Sequence, residues 1–194
     1  MRISELKNNK KLFFNIDDIA NELSISKESA KVTANRYVKR GLLIRLKKNF
    51  YITPDKFNTL KENDFFYLAN NIQVPSYISL TSALSYYNIS TQQLQGIIES
   101  VALKRTKTVR VKETEFKFIL TKKDLYNGFS KQDNFFIALP EKALADAVYL
   151  TSLGKYNCDF NAIDFSKVNK AKVYNYVKST NKRTKLFWDN LCKL

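Results

Sequence analysis

Ile16–Thr53 reads IDDIANEL, SIS, KESAKVTANRYVKRG and LLIRLKKNFYIT: a short helix, a tight turn, a second helix rich in Lys and Arg, and two short β-runs. Ile16, Ile19, Ala20 and Leu23 recur at helical spacing in the first piece. Ala30, Ala34, Tyr37 and Val38 do so in the second, so each helix has one face to bury and the two can pack on each other. Ser24-Ile25-Ser26 fits the turn, with Ser26 as N-cap of the second helix and Gly41 just past its end, where a positive φ is often needed. Leu42–Leu46 and Asn49–Thr53 are β-prone and meet across Lys47-Lys48-Asn49, a hairpin. The order predicts a winged helix-turn-helix.

At 100° per residue the second helix carries Glu28, Val32, Asn35, Arg36 and Lys39 opposite its buried stripe, flanked by Ser29, Thr33 and Arg40. Such a face suits the major groove. Arg bonds guanine bidentately, Asn does so with adenine, a small apolar side chain meets the thymine methyl, and Lys or Ser holds phosphate. The hairpin can lay Arg45, Lys47 and Lys48 on the adjoining backbone. Lys27–Lys48 holds eight Lys/Arg and one acid, Glu28. The bland alternatives are an ordinary solvated face and a basic hairpin that only caps the helices.

Composition points the same way. A chain of 194 residues, 44 % hydrophobic and 26 % charged, can bury a core and divide into two domains, expected here at 1–55 and 60–194. The net charge of +15 lies in Lys27–Lys48, Lys104–Lys123 and Lys167–Lys193, so a polyanion with salt-sensitive binding is the expected partner. No stretch joins a large apolar face to a basic one, which argues against a membrane surface. The start, Met1-Arg-Ile-Ser-Glu-Leu, lacks an apolar signal core, and a cytoplasmic protein is expected. With no histidine, and with Cys158 and Cys192 alone and 34 positions apart, structural zinc and disulfide frameworks are not expected.

Beyond the hairpin, helices are expected at Lys61–Ile72, burying Phe65, Leu68, Ala69 and Ile72, and from Ser79 or Thr81 as cap, burying Leu80, Ala83, Leu84 and Tyr87. Ile97–Leu103, Thr108–Lys112 and Glu115–Leu120 then alternate as an antiparallel meander, and Asn134–Leu139 reads as a further strand. Pro140-Glu141 opens a helix that buries Ala143, Leu144, Ala147, Val148 and Leu150. Ser166–Ser179 and Thr184–Leu194 close the chain. The expected class is α+β: the winged helix-turn-helix, then an α+β domain with a small antiparallel sheet and terminal helices.

The segments IDDIANELSIS, YVKRGLLIRLKKNFYIT, YISLTSALSYYNIS and IALPEKALADAVY, in that order over about Phe13–Leu150, resemble the AbiEi-type antitoxins of bacterial abortive-infection toxin–antitoxin pairs. One departure is Asn49, where the family usually carries Gly before its Phe/Leu-Tyr pair; Asn is the residue that best replaces Gly at positive φ. The resemblance implies an N-terminal winged helix that represses its own operon and a C-terminal domain that counters a nucleotidyltransferase-like toxin without stable direct binding. Operator contact would fall on Ser29, Val32, Thr33, Arg36, Arg40, Arg45, Lys47 and Lys48, on double-stranded DNA with inverted repeats. Glu141 would serve its helix N-terminus, and Asp146 a local salt bridge or hydrogen bond.

Two other classes compete. One is a winged-helix transcription factor whose C-terminal domain dimerises or senses a ligand, which would need polar groups converging among the aromatics of Phe116–Phe136. The other is an enzyme, with Asp17/Asp18 or Glu113/Glu115 as its metal-holding carboxylates. Asp17 and Asp18 suit a helix first turn instead, Glu113 and Glu115 straddle an expected turn, and no phosphate loop or nucleophile elbow is present. No catalysis, cofactor or metal is therefore expected. Phe116 and Phe118 could stack RNA bases, but their alternation with Lys117 reads as buried strand.

Overall fold

In a computed structural model that describes residues 3–193, helices begin where a side chain can satisfy their first amides. Asn15 caps α2 (Ile16–Glu22) in a reciprocal box: its side chain accepts from the Asp18 amide at 2.8 Å, and the Asp18 carboxylate accepts from the Asn15 amide at 2.9 Å. Ser26 Oγ accepts from the Ser29 amide at 3.2 Å to start α3 (Lys27–Lys39), and the chain leaves α3 through Arg40 and Gly41, at φ +70°. With α1 (Ile3–Asn8), these helices bury Ile3, Leu6, Ile16, Ile19, Leu23, Ala30, Ala34 and Tyr37 in one core. β1 (Ile44–Lys47) and β2 (Phe50–Ile52) pair antiparallel, and Phe14 and Tyr51 exchange backbone hydrogen bonds of 2.8 and 2.9 Å. Phe57 of α4 (Pro54–Asn58) is buried too.

The turn between β1 and β2 shows what Asn49 does. Its φ is +59°, and its Oδ1 accepts at 2.6 Å from the amide of Ile16, the first residue of α2. That amide is one of the donors a helix N-terminus leaves without an internal partner. Asn49 therefore ties the hairpin to α2, a bond that glycine cannot make. Asn49→Ala should cost about 1–3 kcal/mol, from the orphaned amide and the left-handed backbone together, and Asn49→Gly less. Urea midpoints of the two variants check it, and an Asn49→Gly chain as stable as its parent would show that the side-chain bond does not matter.

The chain divides into two compact units, Met1–Glu62 and Asn63–Leu194, and α4 belongs to the first. The second holds α5 (Glu62–Ile72) from Asn63 on, then β3 (Ser76–Ile78), α6 (Leu80–Tyr86), β4 (Ile97–Ala102), β5 (Lys107–Val111), β6 (Thr114–Leu120), β7 (Phe129–Gln132) and β8 (Phe135–Ala138). It ends with α7 (Pro140–Ser152), α8 (Lys170–Val177) and α9 (Lys182–Leu191). The helix end expected at Leu194 lies outside the described residues.

The expected meander and small antiparallel sheet are corrected. A six-stranded mixed sheet runs β5-β6-β4-β3-β8-β7, with β4 parallel to β6, β3 parallel to β8, and the other neighbours antiparallel. Only β5 and β6 form a hairpin of the kind their alternation suggests. β4 is buried from Ile98 to Ala102 on both faces, as strands with parallel neighbours commonly are, so its burial carries no period of two. On α5 it is Phe66, not Phe65, that is fully buried. The residues expected inside α7 are buried as read.

Two polar clusters lie inside this unit. The Asp146 carboxylate accepts from Lys142 Nζ at 2.5 Å and from the hydroxyls of Tyr77 and Ser79 at 2.9 Å each, and Lys142 also donates to the Leu125 carbonyl at 2.9 Å. Ser79 stands at the N-cap of α6, yet its hydroxyl goes to Asp146 and makes no cap bond, and Thr81 shares a 2.7 Å bond with Tyr156. The expected side-chain cap is therefore replaced by long-range bonds.

In the second cluster Glu99 accepts from the Tyr156 hydroxyl at 2.8 Å and the Thr81 amide at 3.2 Å. Burial pushes the Glu99 carboxyl above its ordinary value of 4.5, against the lowering effect of those bonds. A carboxyl raised in the folded state contributes stability that is full below its unfolded value and lost as pH rises through the folded one. Glu99→Gln, which keeps an acceptor, should abolish that loss from pH 4.5 upward and leave the chain more stable than its parent at neutral pH. Urea midpoints across this range check it; parallel curves would show that Glu99 titrates alike in both states.

Candidate nucleic-acid interface

The packing of α2 on α3 fixes which side of α3 meets solvent. Ala30, Ala34 and Tyr37 point into the core, whereas Ser29, Val32, Asn35, Arg36, Lys39 and Arg40 are exposed and Thr33 is half-buried. Val32, at 68 % exposed, is an apolar side chain held in water by the helix register. The hairpin presents Arg45, Lys47 and Lys48 to solvent.

Arg45 links the two elements. Its guanidinium donates to Asn35 Oδ1 on α3 and lies 5.6 Å from the Tyr51 ring centroid. Bidentate adenine recognition needs both ends of an Asn amide, and here the oxygen is engaged by Arg45. In this state Asn35 also helps to position the Arg45 guanidinium. Ser29 also belongs to the α3 cap, its Oγ accepting from Ser26 Oγ at 3.0 Å. The Arg36 guanidinium lies 5.9 Å from the Tyr37 ring and Lys47 Nζ 5.5 Å from that of Phe50, so both cations rest against aromatic walls. Lys27 pairs with Asp17 at 2.7 Å, both side chains being exposed.

Ion pairs also form in the other basic stretches. On the β5–β6 hairpin Glu115 takes Arg110 at 2.8 Å and Lys117 at 3.4 Å, and on the last segment Lys167 and Lys172 face Asp164 and Glu141 at 3.5 and 4.0 Å. Phe116 and Phe118 are 0 and 1 % exposed, hence core rather than stacking platforms. Asp18 serves the α2 cap and a bond from Lys11, and among the described residues no three His, Cys, Asp or Glu side chains are grouped to hold a metal. Cys158 is buried, and burial pushes its thiol up to about 12.

The second unit contains a cavity of about 470 Å³ among α5, the 74–76 segment and the β7–β8 hairpin. Tyr126, Phe129, Lys131 and Phe136 of its lining lie within the Phe116–Phe136 stretch where a ligand-sensing reading needs converging polar groups, and Asn70 joins them from α5. No helix among the described residues is long and apolar enough to cross a membrane.

No protein-family model matches the chain, and no curated protein does. Among solved structures it is similar to the crystal structure of the RV2827C protein from Mycobacterium tuberculosis, with a TM-score of 0.63 and 12 % identity over 97 % of this chain and 74 % of that one. At that identity the likeness shows the α+β fold alone.

Proposed function

We propose that the first unit is a winged helix-turn-helix that binds operator DNA and represses its own operon, and that the chain is the antitoxin of an abortive-infection pair. The observation that carries the DNA reading is the joining of the exposed α3 face to the hairpin cations through the Arg45–Asn35 bond. Arg36, Lys39 and Arg40 enter or flank the major groove, Val32 meets a thymine methyl, and Lys47 and Lys48 hold phosphates. The antitoxin part rests on the family resemblance: the second unit counters a nucleotidyltransferase-like toxin without stable binding to it.

Footprinting on the DNA upstream of its own gene tests the first part. Paired protected half-sites related by an inverted repeat are expected; binding that does not prefer this DNA over random sequence would overturn it. The cavity favours a second reading, a winged-helix regulator whose second unit senses a small ligand, since its volume suits one.

A further inference from the structure

Phe136 is 42 % exposed, unusual for an aromatic ring in a sheet, and it stands at the wall of the 470 Å³ cavity. Behind it the rings form a fixed series. Phe136 meets Phe129 edge-on at 6.0 Å, and Phe129 stacks on buried Tyr77 at 4.6 Å and 17°. The exposed ring is therefore held in place and offered to a planar partner.

Besides its tyrosines the lining carries five polar side chains, Asn70, Asn71, Ser76, Lys131 and Asn134. Asn70 is only 9 % exposed and lines the cavity; its Oδ1 accepts from the Phe136 amide at 2.5 Å, which fixes the amide orientation, while its Nδ2 has no hydrogen-bond partner. That Nδ2 has almost no accessible surface, so Asn70 serves to hold the Phe136 backbone and is not itself a contact for a ligand. Lys131, exposed on β7, supplies positive charge, and no carboxylate lines the cavity.

We infer that this cavity binds a nucleoside phosphate, with the base stacked on Phe136 and the phosphate at Lys131. A flat ring and an attached anion are the two features that Phe136 and Lys131 call for together, and a nucleotide has both. The same chemistry comes from a free nucleotide or from the end of a single strand. The inference rests on the cavity, gives the ligand-sensing reading a ligand class, and needs no contact from α3.

Equilibrium dialysis of the full chain against labelled ATP, GTP, CTP and UTP, their monophosphates, and a ten-nucleotide single-stranded RNA tests it. Saturable one-to-one binding is expected, weakened at least tenfold by Phe136→Ala and by Lys131→Ala; Lys131, exposed on β7, is the position whose substitution should leave the melting temperature unchanged. Binding of the mononucleotides identifies a free nucleotide as the source, and binding of the oligonucleotide alone identifies a strand end. Arg36→Ala should weaken duplex binding and leave this binding intact, so the two sites fail separately. No saturable binding of any probe at millimolar concentration, or binding that ignores both Phe136→Ala and Lys131→Ala, would overturn the inference.

Discussion

Asp146→Ala is expected to destabilise the second unit by about 3–5 kcal/mol, the cost of leaving one member of a buried ion pair without its partner. The Lys142 and Asp146 side chains are 4 and 3 % exposed, so water cannot replace the lost carboxylate. Lys142 would keep the Leu125 carbonyl and the Tyr176 ring, 5.7 Å away, but no counter-charge. Tyr77 and Ser79 would lose their acceptor as well. Next to Ser79 stands Leu80, a buried non-glycine residue at φ +58°, whose backbone Asp146 helps to hold through that hydroxyl. In thermal melts the loss corresponds to roughly 10–20 °C. Lys142→Met combined with Asp146→Leu should recover much of it, because an apolar pair leaves no buried charge. If Asp146→Ala alone melts with its parent, the pair contributes no stability.

The second large effect concerns DNA. Arg36→Ala should weaken operator binding by about 1–3 kcal/mol and leave binding to random duplex nearly unchanged, as expected of a side chain that reads a base edge. Lys48→Ala, at the hairpin tip, should weaken both and lower the slope of log affinity against log salt by about 1. Arg45→Ala should resemble Lys48→Ala and also release Asn35, which it holds in the free protein. Anisotropy titrations at several salt concentrations separate these cases. An equal loss on random DNA for Arg36→Ala would assign Arg36 to phosphates.

What the sequence disclosed depended on how local the governing interactions are. The cap at Ser26, the left-handed Gly41 and Asn49, and the buried stripes of α2 and α3 follow from residues within a few positions of one another, and the exposed α3 face follows from helix geometry. The sheet did not follow. β4 lies between β3 and β6, and nothing in Ile97–Ala102 states which neighbour is parallel. β7, Phe129-Ser-Lys-Gln, has no apolar alternation and is a strand because β8 pairs with it. Asn70 and Phe136 are 66 positions apart and meet only in the folded unit, so the cavity had no local signature. The Arg45–Asn35 bond was hidden for a subtler reason, since both residues were read as facing a ligand when they also face each other.

The central claim joins DNA binding in the first unit to toxin neutralisation in the second. Its most direct test is growth of cells expressing the neighbouring gene together with this chain, both from foreign promoters so that repression plays no part. The account predicts that the neighbour arrests growth and that the full chain restores it, as does the Arg36→Ala form that has lost its operator. A harmless neighbour, or arrest that neither form relieves, would contradict it.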